Sequence, residues 1–171
     1  MNPDSIAYVA NIAQIAGDAT VIVAVLFGLF ELSEYRKQRR DAVAAELMRT
    51  FYSPELAKAV YLIRSLPESA TADDLRRRGD EYEQAAVLVS MSFETMGLLV
   101  FERIAPIDLV EKLAGGIIVV MWHRLRPWLA QIRHEQSQPS WAEWFEWLSE
   151  QCERRKRAQE PAHLKYKDWQ P

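Results

Sequence analysis

The chain has 171 residues, and its 24 acidic and 21 basic side chains give a formal net charge of −3 at pH 7. This balance lacks the strong positive charge with which proteins bind nucleic acid, so we expect no nucleic-acid partner. The single cysteine, Cys152, excludes an intramolecular disulfide, and the three histidines do not have zinc-ligand spacing. We therefore expect no metal and no other cofactor. The sequence contains neither the residue order of a catalytic triad nor a phosphate-binding glycine loop, so neither pattern predicts an enzyme.

Residues 1–35 are predicted to form a transmembrane anchor. The segment Val21–Phe30 is uncharged, but at about 1.5 Å per residue it covers only about half of a hydrocarbon core of about 30 Å. The helix is therefore expected to begin near Tyr8. Asp18 lies inside this span, and its insertion cost of about 2.5 to 3.5 kcal/mol is mostly offset by the apolar residues that follow.

Three polar residues of the anchor share one helical face. Asn11, Gln14 and Asp18 are spaced at i, i+3 and i+7, and polar atoms that face lipid are costly. This stripe is predicted to contact another helix, either in a homo-oligomer or in a larger membrane complex. The alternative is that the stripe lines a water or ion path.

The basic residues predict the orientation of the anchor. Every Lys and Arg follows Ser33, and four of them come directly after the span: Arg36, Lys37, Arg39 and Arg40. The positive-inside rule then places the C-terminal body in the bacterial cytoplasm and the N-terminus outside the inner membrane. A cleaved signal peptide is disfavoured because no basic residue precedes the apolar run, so a retained signal-anchor is expected.

Residues 36–160 are predicted to form an all-α cytoplasmic bundle of about four to five helices. Ser53-Pro54 indicates a helix start with an N-cap serine, and Thr71 with Asp74 indicates another. Ser140 and Glu143 have the spacing of a capping box, which predicts the start of the last helix there. The sequence contains no Asn-Gly or Asp-Gly pair, so no hairpin turn of this kind predicts β-strands.

The segment Ala85–Phe101 is apolar enough to resemble a second span, and Glu94 is its only charge. Its central serines and threonine, with charged residues at both ends, favour the buried central helix of a bundle. A desolvated Glu94 needs a cation to keep a normal pKa. A buried ion pair is therefore predicted, with a general base or proton carrier as the alternative, and the candidate partners are His123, Arg124, Arg126 and Arg133.

A pair of glycines, Gly115-Gly116, interrupts the long helix that is predicted to begin after Pro106. Glycine disfavours a helix interior by roughly 1 kcal/mol relative to alanine, so a close approach by a neighbouring helix is expected there, with a ligand as the alternative.

The last helix carries an aromatic face that includes Trp144 and Trp147. This face has three interpretations: core, a belt at the membrane surface, or a groove for a partner. A basic run follows it, consisting of Arg154, Arg155, Lys156 and Arg157. Together with the basic and aromatic tail 161–171, these residues predict contact with the anionic lipid bilayer or with a partner protein.

Several motifs resemble a bacterial family, the domain of unknown function 4760. They are the N-terminal span closed by basic residues, Phe51-Tyr-Ser-Pro-Glu-Leu, Ser92-Phe-Glu-Thr-Met-Gly97, Trp122-x-x-Leu-Arg-Pro127 and the final aromatic helix. The resemblance implies a membrane-anchored helical domain and carries no activity. Where that family often has glycine after the central helix, this chain reads Phe101-Glu-Arg-Ile-Ala-Pro.

Taken together, the patterns favour a non-enzymatic, single-span membrane protein whose body mediates assembly with itself or with a membrane complex. The alternative is an oligomeric effector or channel-like protein with a polar path through the membrane. A third hypothesis, less favoured, is an enzyme at the bilayer surface that uses Glu94 and His123.

Overall fold

The computed structural model describes residues 25, 27–35, 38, 42, 43, 45, 46, 49 and 53–170. The chain divides into two compact units, 1–42 and 43–171. In the first unit the described residues are helical, and their large apolar side chains, including Phe27 and Phe30, are exposed. Most of the predicted span lies outside the described residues.

The second unit is built from helices, and residues 53–170 contain no strand. Within residues 53–170 its helices are α1 (Pro54–Arg64), α2 (Ala72–Arg78), α3 (Asp80–Phe101), α4 (Ile107–Glu135), α5 (Glu143–Arg157) and α6 (Ala162–Lys165). The all-α prediction is confirmed for this part of the chain. Five helices have seven or more residues, and α6 is a single exposed turn of four residues in the tail.

Two helix starts follow directly from local sequence. The Ser53 hydroxyl accepts the N–H of Leu56 at 3.1 Å, and Pro54 opens α1. At α2 the Thr71 hydroxyl accepts the N–H of Asp74, and the Asp74 carboxylate accepts the N–H of Thr71 at 2.9 Å. Both predicted N-caps are therefore confirmed.

Helix α3 is the centre of the bundle, as its apolar sequence predicted. It packs against α1, α2, α4 and α5, and its residues Ala86, Val89 and Phe93 are fully buried. Among the described helices, α3 alone is long and apolar enough to cross a membrane, and nearly half of its apolar segment is buried inside the bundle.

Arg76 joins three helices at one end of the bundle. Its guanidinium binds Asp73 in α2, Glu83 in α3 and Glu135 in α4, at 3.3, 3.1 and 2.6 Å. The hydrogen bond from Arg76 lowers the pKa of Glu135 to about 2. These contacts fix the short helix α2 against the two long helices.

The Gly115-Gly116 pair of α4 lies beneath α5, but side chains make the contact. A Cβ on Gly115 would lie 3.1 Å from Glu111 Cγ and 3.7 Å from Cys152 Sγ, and one on Gly116 would lie 3.0 Å from Lys156 Nζ. A neighbouring helix does approach there, through Cys152 and Lys156 side chains that can adjust.

Helix α3 ends in a Schellman turn that places Arg103 in the left-handed region, with φ of 57°. The N–H of Ile104 donates to the carbonyl of Leu99 at 2.9 Å, and the N–H of Arg103 donates to Val100 at 3.0 Å. Glycine is the usual residue at this position because it has no Cβ to strain the left-handed backbone.

Arg103→Gly should therefore raise the free energy of unfolding by about 1 kcal/mol, since it relieves left-handed strain. All six tryptophans follow residue 121, so tryptophan fluorescence during denaturant unfolding reports on the bundle. Arg154→Gly, at an exposed position inside α5, is the control and should destabilise by about 1 kcal/mol. A destabilised Arg103→Gly variant would contradict the strain argument.

Candidate functional site

The carboxylate of Glu94 caps the N-terminus of α5. Its Oε2 accepts the backbone N–H of Phe145 at 2.8 Å, and the N–H of Trp144 also interacts with it. The first N–H groups of a helix have no partner inside the helix, and a negative charge near them is favourable. A side chain from the middle of α3 thus supplies the cap that the local sequence of α5 lacks.

The cap is possible because α3 and α5 touch at Gly97. A Cβ on Gly97 would lie only 2.2 Å from the carbonyl oxygen of Trp144 and 2.7 Å from its carbonyl carbon. Beside this contact, the rings of Phe93 and Phe145 pack with centroids 5.2 Å apart. Phe93, Glu94 and Gly97 therefore form one docking surface for the first turn of α5.

The predicted capping box at Ser140 and Glu143 is wrong. Helix α5 begins at Glu143, after Ala142 in the left-handed region with φ of 57°, and no side chain of its own caps it. Ser140 instead accepts the N–H of Glu143 through its backbone carbonyl at 3.2 Å. The chain turns too sharply before α5 for Ser140 to occupy the N-cap position.

Arg133 holds the turn before α5 in place. Its Nε donates to the carbonyl of Trp141 at 2.8 Å, and its guanidinium binds Glu146 at 2.8 Å. The same guanidinium lies 6.0 Å from the ring centre of Trp122. Helix α4 therefore fixes the approach of the chain to the junction.

Burial raises the pKa of Glu94 above its ordinary value, and the negative charge of Glu143 adds to this effect. The N–H groups of Phe145 and Trp144 and the charge of Arg133 oppose the increase but do not cancel it. Desolvation of the carboxylate therefore outweighs the favourable position at the helix N-terminus.

A cleft of about 330 Å³ opens beside this junction. Its α3 wall consists of Ser90, Met91 and Glu94, and its other wall is the 138–142 turn, with Gln138, Ser140, Trp141 and Ala142. Ser90 is buried, and its hydroxyl oxygen has no hydrogen-bond partner among the described residues. The cleft thus joins an apolar surface to several polar groups, as small-molecule sites do.

The expected ion pair between Glu94 and a cation from α4 is corrected by the structure. Arg124 donates to the carbonyl of Leu66 and lies 4.0 Å from Glu68, while His123 and Arg126 are exposed. Arg133 lowers the pKa of Glu94 through its charge, but its ion pair is with Glu146. The predicted desolvation of Glu94 is present, but two backbone N–H groups, and not a cation, hydrogen-bond to its carboxylate. His123 does not line the cleft that contains Glu94, so the surface-enzyme hypothesis gains no support.

The aromatic face of α5 is partly core, since Phe145 is fully buried while Trp144 and Trp147 are half-buried. Trp144 and Trp147 pack on Phe101 of α3, with ring centroids 4.4 and 5.9 Å away. In the basic run, Arg155 binds Asp108 and Glu111, and Arg157 binds Glu153 at 2.6 Å. Arg154 and Lys156 are exposed.

The predicted contacts of the anchor are not placed by the structure. Asn11, Gln14 and Asp18 lie outside the described residues, as do Arg36, Lys37, Arg39 and Arg40. Within the described ranges, no group of three or more His, Cys, Asp or Glu side chains is arranged to hold a metal ion.

The family model for the domain of unknown function DUF4760 matches residues 18–152, which is more than three quarters of the chain. The chain belongs to this family. The DUF4760 match includes α1 to α4, the Glu94 junction and most of α5. No curated protein and no solved structure matches the chain.

Gly97→Ala should destabilise the bundle by about 3 kcal/mol, because the new methyl group meets the Trp144 backbone and cannot be accommodated by a rotamer change. Gly116→Ala is the matched control, since it meets only the flexible end of Lys156 and gains up to about 1 kcal/mol of helix propensity. Denaturant unfolding followed by tryptophan fluorescence measures both. Equal stability of the two variants would disprove the close approach at Gly97.

Glu94→Gln tests the electrostatics of the cap. A raised folded-state pKa means that the folded chain binds more protons, so stability is lost as pH rises from about 4.3, the unfolded value, through the folded pKa. The amide keeps an acceptor for the Phe145 N–H and removes the titration. The stability of Glu94→Gln relative to the wild type should therefore increase across this window, measured by denaturant unfolding at a series of pH values.

Glu150→Gln, at an exposed position on α5, is the control for this pH series and should follow the wild type. A wild-type advantage over Glu94→Gln that grows as pH rises would reverse the expected sign. Such a result would mean that the helix N-terminus, not desolvation, dominates the pKa of Glu94.

Proposed function

We propose that the chain is a single-span protein of the bacterial inner membrane whose cytoplasmic body acts by self-assembly. The observation that carries this proposal is an apolar stripe on the solvent face of α3. The proposal has two parts, an anchor in residues 1–35 and an assembly surface on the bundle.

The anchor is supported by the described end of the predicted span. Residues 27–35 are helical, and Phe27, Leu29 and Phe30 are about 60% exposed. Three large apolar side chains this exposed within one helical turn favour a lipid environment. The basic residues that follow the span favour the cytoplasmic side for the body.

The assembly surface is the outward face of α3, which we call the α3 seam. It consists of Leu88, Met91, Thr95, Leu98 and Phe101, which recur at separations of three or four residues. All five are exposed although the opposite face of the same helix fills the core. This spacing is typical of a helix that packs against another helix.

The polar groups along the α3 seam are already satisfied within the helix. The Thr95 hydroxyl donates to the carbonyl of Met91 at 2.9 Å, and the neighbouring Ser92 hydroxyl donates to Leu88 at 2.7 Å. A partner helix could therefore cover this surface without leaving a hydroxyl donor unbonded, which keeps the desolvation cost low.

A second copy of the chain is the partner that this surface fits best. The α3 seam continues into the half-buried cluster of Phe101, Trp144 and Trp147, and aromatic side chains are enriched at the centres of protein interfaces. An isologous contact needs only one such surface on each subunit. Anchoring in the same membrane favours this encounter because it raises the effective concentration of the copies.

Leu98→Glu should reduce the native mass of the full-length protein in mild detergent from oligomer to monomer, because it places a charge at the middle of the apolar contact. Light scattering coupled to size-exclusion chromatography measures the mass. Val120→Glu is the matched control, since Val120 on α4 is 42% exposed and Leu98 is 41% exposed. The control should keep the wild-type mass.

An oligomer that survives Leu98→Glu would contradict assembly through the α3 seam. If Asp18→Leu lowered the mass instead, the contact would lie at the predicted intramembrane stripe. A wild-type protein that is monomeric at all concentrations would contradict self-assembly and would favour a larger membrane complex.

A further inference from the structure

We propose that the cleft between α3 and the 138–142 turn binds the head of a small primary ammonium compound, with Glu94 and Ser90 as its polar contacts. This inference does not rest on membrane anchoring or on assembly, although the cleft and the α3 seam share Met91. It rests on an enclosed hydroxyl without a partner, on the remaining acceptor capacity of Glu94 and on the composition of the cleft walls.

Ser90 differs from the other hydroxyl residues in the middle of α3. Ser92 and Thr95 each donate to the carbonyl four residues earlier, at 2.7 and 2.9 Å. The Ser90 hydroxyl makes no such bond, although the residue is only 1% exposed and lines the cleft. A buried hydroxyl without a partner costs about 1 to 3 kcal/mol, which a ligand that binds it would recover.

Glu94 has acceptor capacity left after capping α5. An ionised carboxylate offers about four acceptor positions, and the N–H groups of Phe145 and Trp144 use two of them. Glu94 follows Ser90 by four residues, so the two side chains lie on the same face of α3. A group that donates several hydrogen bonds can reach both.

The cleft favours a cation over an anion or a neutral group. Its lining contains the carboxylate of Glu94 and no basic side chain. Arg133, whose charge acts on Glu94, is bound to the Trp141 carbonyl and to Glu146, and its Nη2 has no hydrogen-bond partner among the described residues. A cation in the cleft would also offset the desolvation that raises the pKa of Glu94.

The groups that line the cleft favour a primary ammonium. Such a group has three donors, which match Glu94, Ser90 and an oxygen of Gln138 or Ser140 from the opposite wall. Met91 and Trp141 provide an apolar surface for a short alkyl chain, and an indole ring adds a cation–π attraction. A volume of about 330 Å³ suits a compound of few heavy atoms.

The test is a titration of the full-length, ¹⁵N-labelled protein in detergent micelles with n-propylammonium chloride. The indole N–H signal of Trp141, assigned by its loss in Trp141→Phe, should shift and saturate with a Kd of about 1 to 10 mM, the affinity of a small ligand. 1-Propanol at matched ionic strength is the neutral comparison and should not saturate in this range.

Three variants locate the site. Glu94→Gln keeps an acceptor for Phe145 but removes the charge, and it should weaken binding about tenfold or more, the loss of one charged hydrogen bond. Ser90→Ala should weaken binding about threefold to tenfold. Ser92→Ala is the matched control, because the Ser92 hydroxyl is already bound to Leu88 and does not line the cleft, and it should bind as the wild type does.

Binding should also weaken as pH falls through the pKa of Glu94, because the proton and the ammonium compete for the same carboxylate. The charged groups that act on this carboxylate are Glu143 of α5 and Arg133 of α4. A Ser90→Ala protein that binds as well as Ser92→Ala would overturn the proposal even if Glu94→Gln failed to fold. So would equal shifts with 1-propanol, or no saturable shift up to about 100 mM.

Discussion

The placement of α5 on the bundle depends on one long-range contact, the hydrogen bond between the Glu94 carboxylate and the first turn of α5. It joins residues 51 positions apart, and it explains three features of the sequence together. Glu94 is the only charge in the apolar part of α3, Gly97 leaves room for the Trp144 carbonyl, and Phe93 packs on Phe145. Desolvation of the carboxylate is unfavourable, but its hydrogen bonds satisfy the N–H groups of a helix terminus that has no local cap.

This contact also marks the limit of what the sequence could predict. The starts of α1 and α2 were predictable because each cap lies within three residues of the N–H that it serves. The start of α5 was not, because Ser140 and Glu143 have capping-box spacing while the actual cap comes from another helix. Desolvation of Glu94 was predictable from its apolar neighbours, but its partner depends on tertiary packing. The sequence around Ser90 did not predict the cleft, since a serine inside a helix usually hydrogen-bonds to the backbone of its own helix.

Helix α3 shows why apolar composition alone is ambiguous. A soluble bundle helix usually has one apolar and one polar face, whereas a membrane helix is apolar all around. Helix α3 is apolar on the face that fills the core and along the α3 seam as well. The 3-4 spacing of Leu88, Met91, Thr95 and Leu98 was present in the sequence. It became informative only when the structure showed which face was already covered.

The position of Cys152 has a consequence for the chemistry of the whole chain. Its thiol is buried against Gly115 of α4, and burial raises its pKa to about 11, so the thiol stays protonated at neutral pH. A thiol must ionise and be reached before it can form a disulfide. Because Cys152 is the only cysteine of this sequence and is buried, a disulfide between two folded copies is disfavoured. Assembly of folded copies should therefore depend on their concentration and not on oxidation of Cys152.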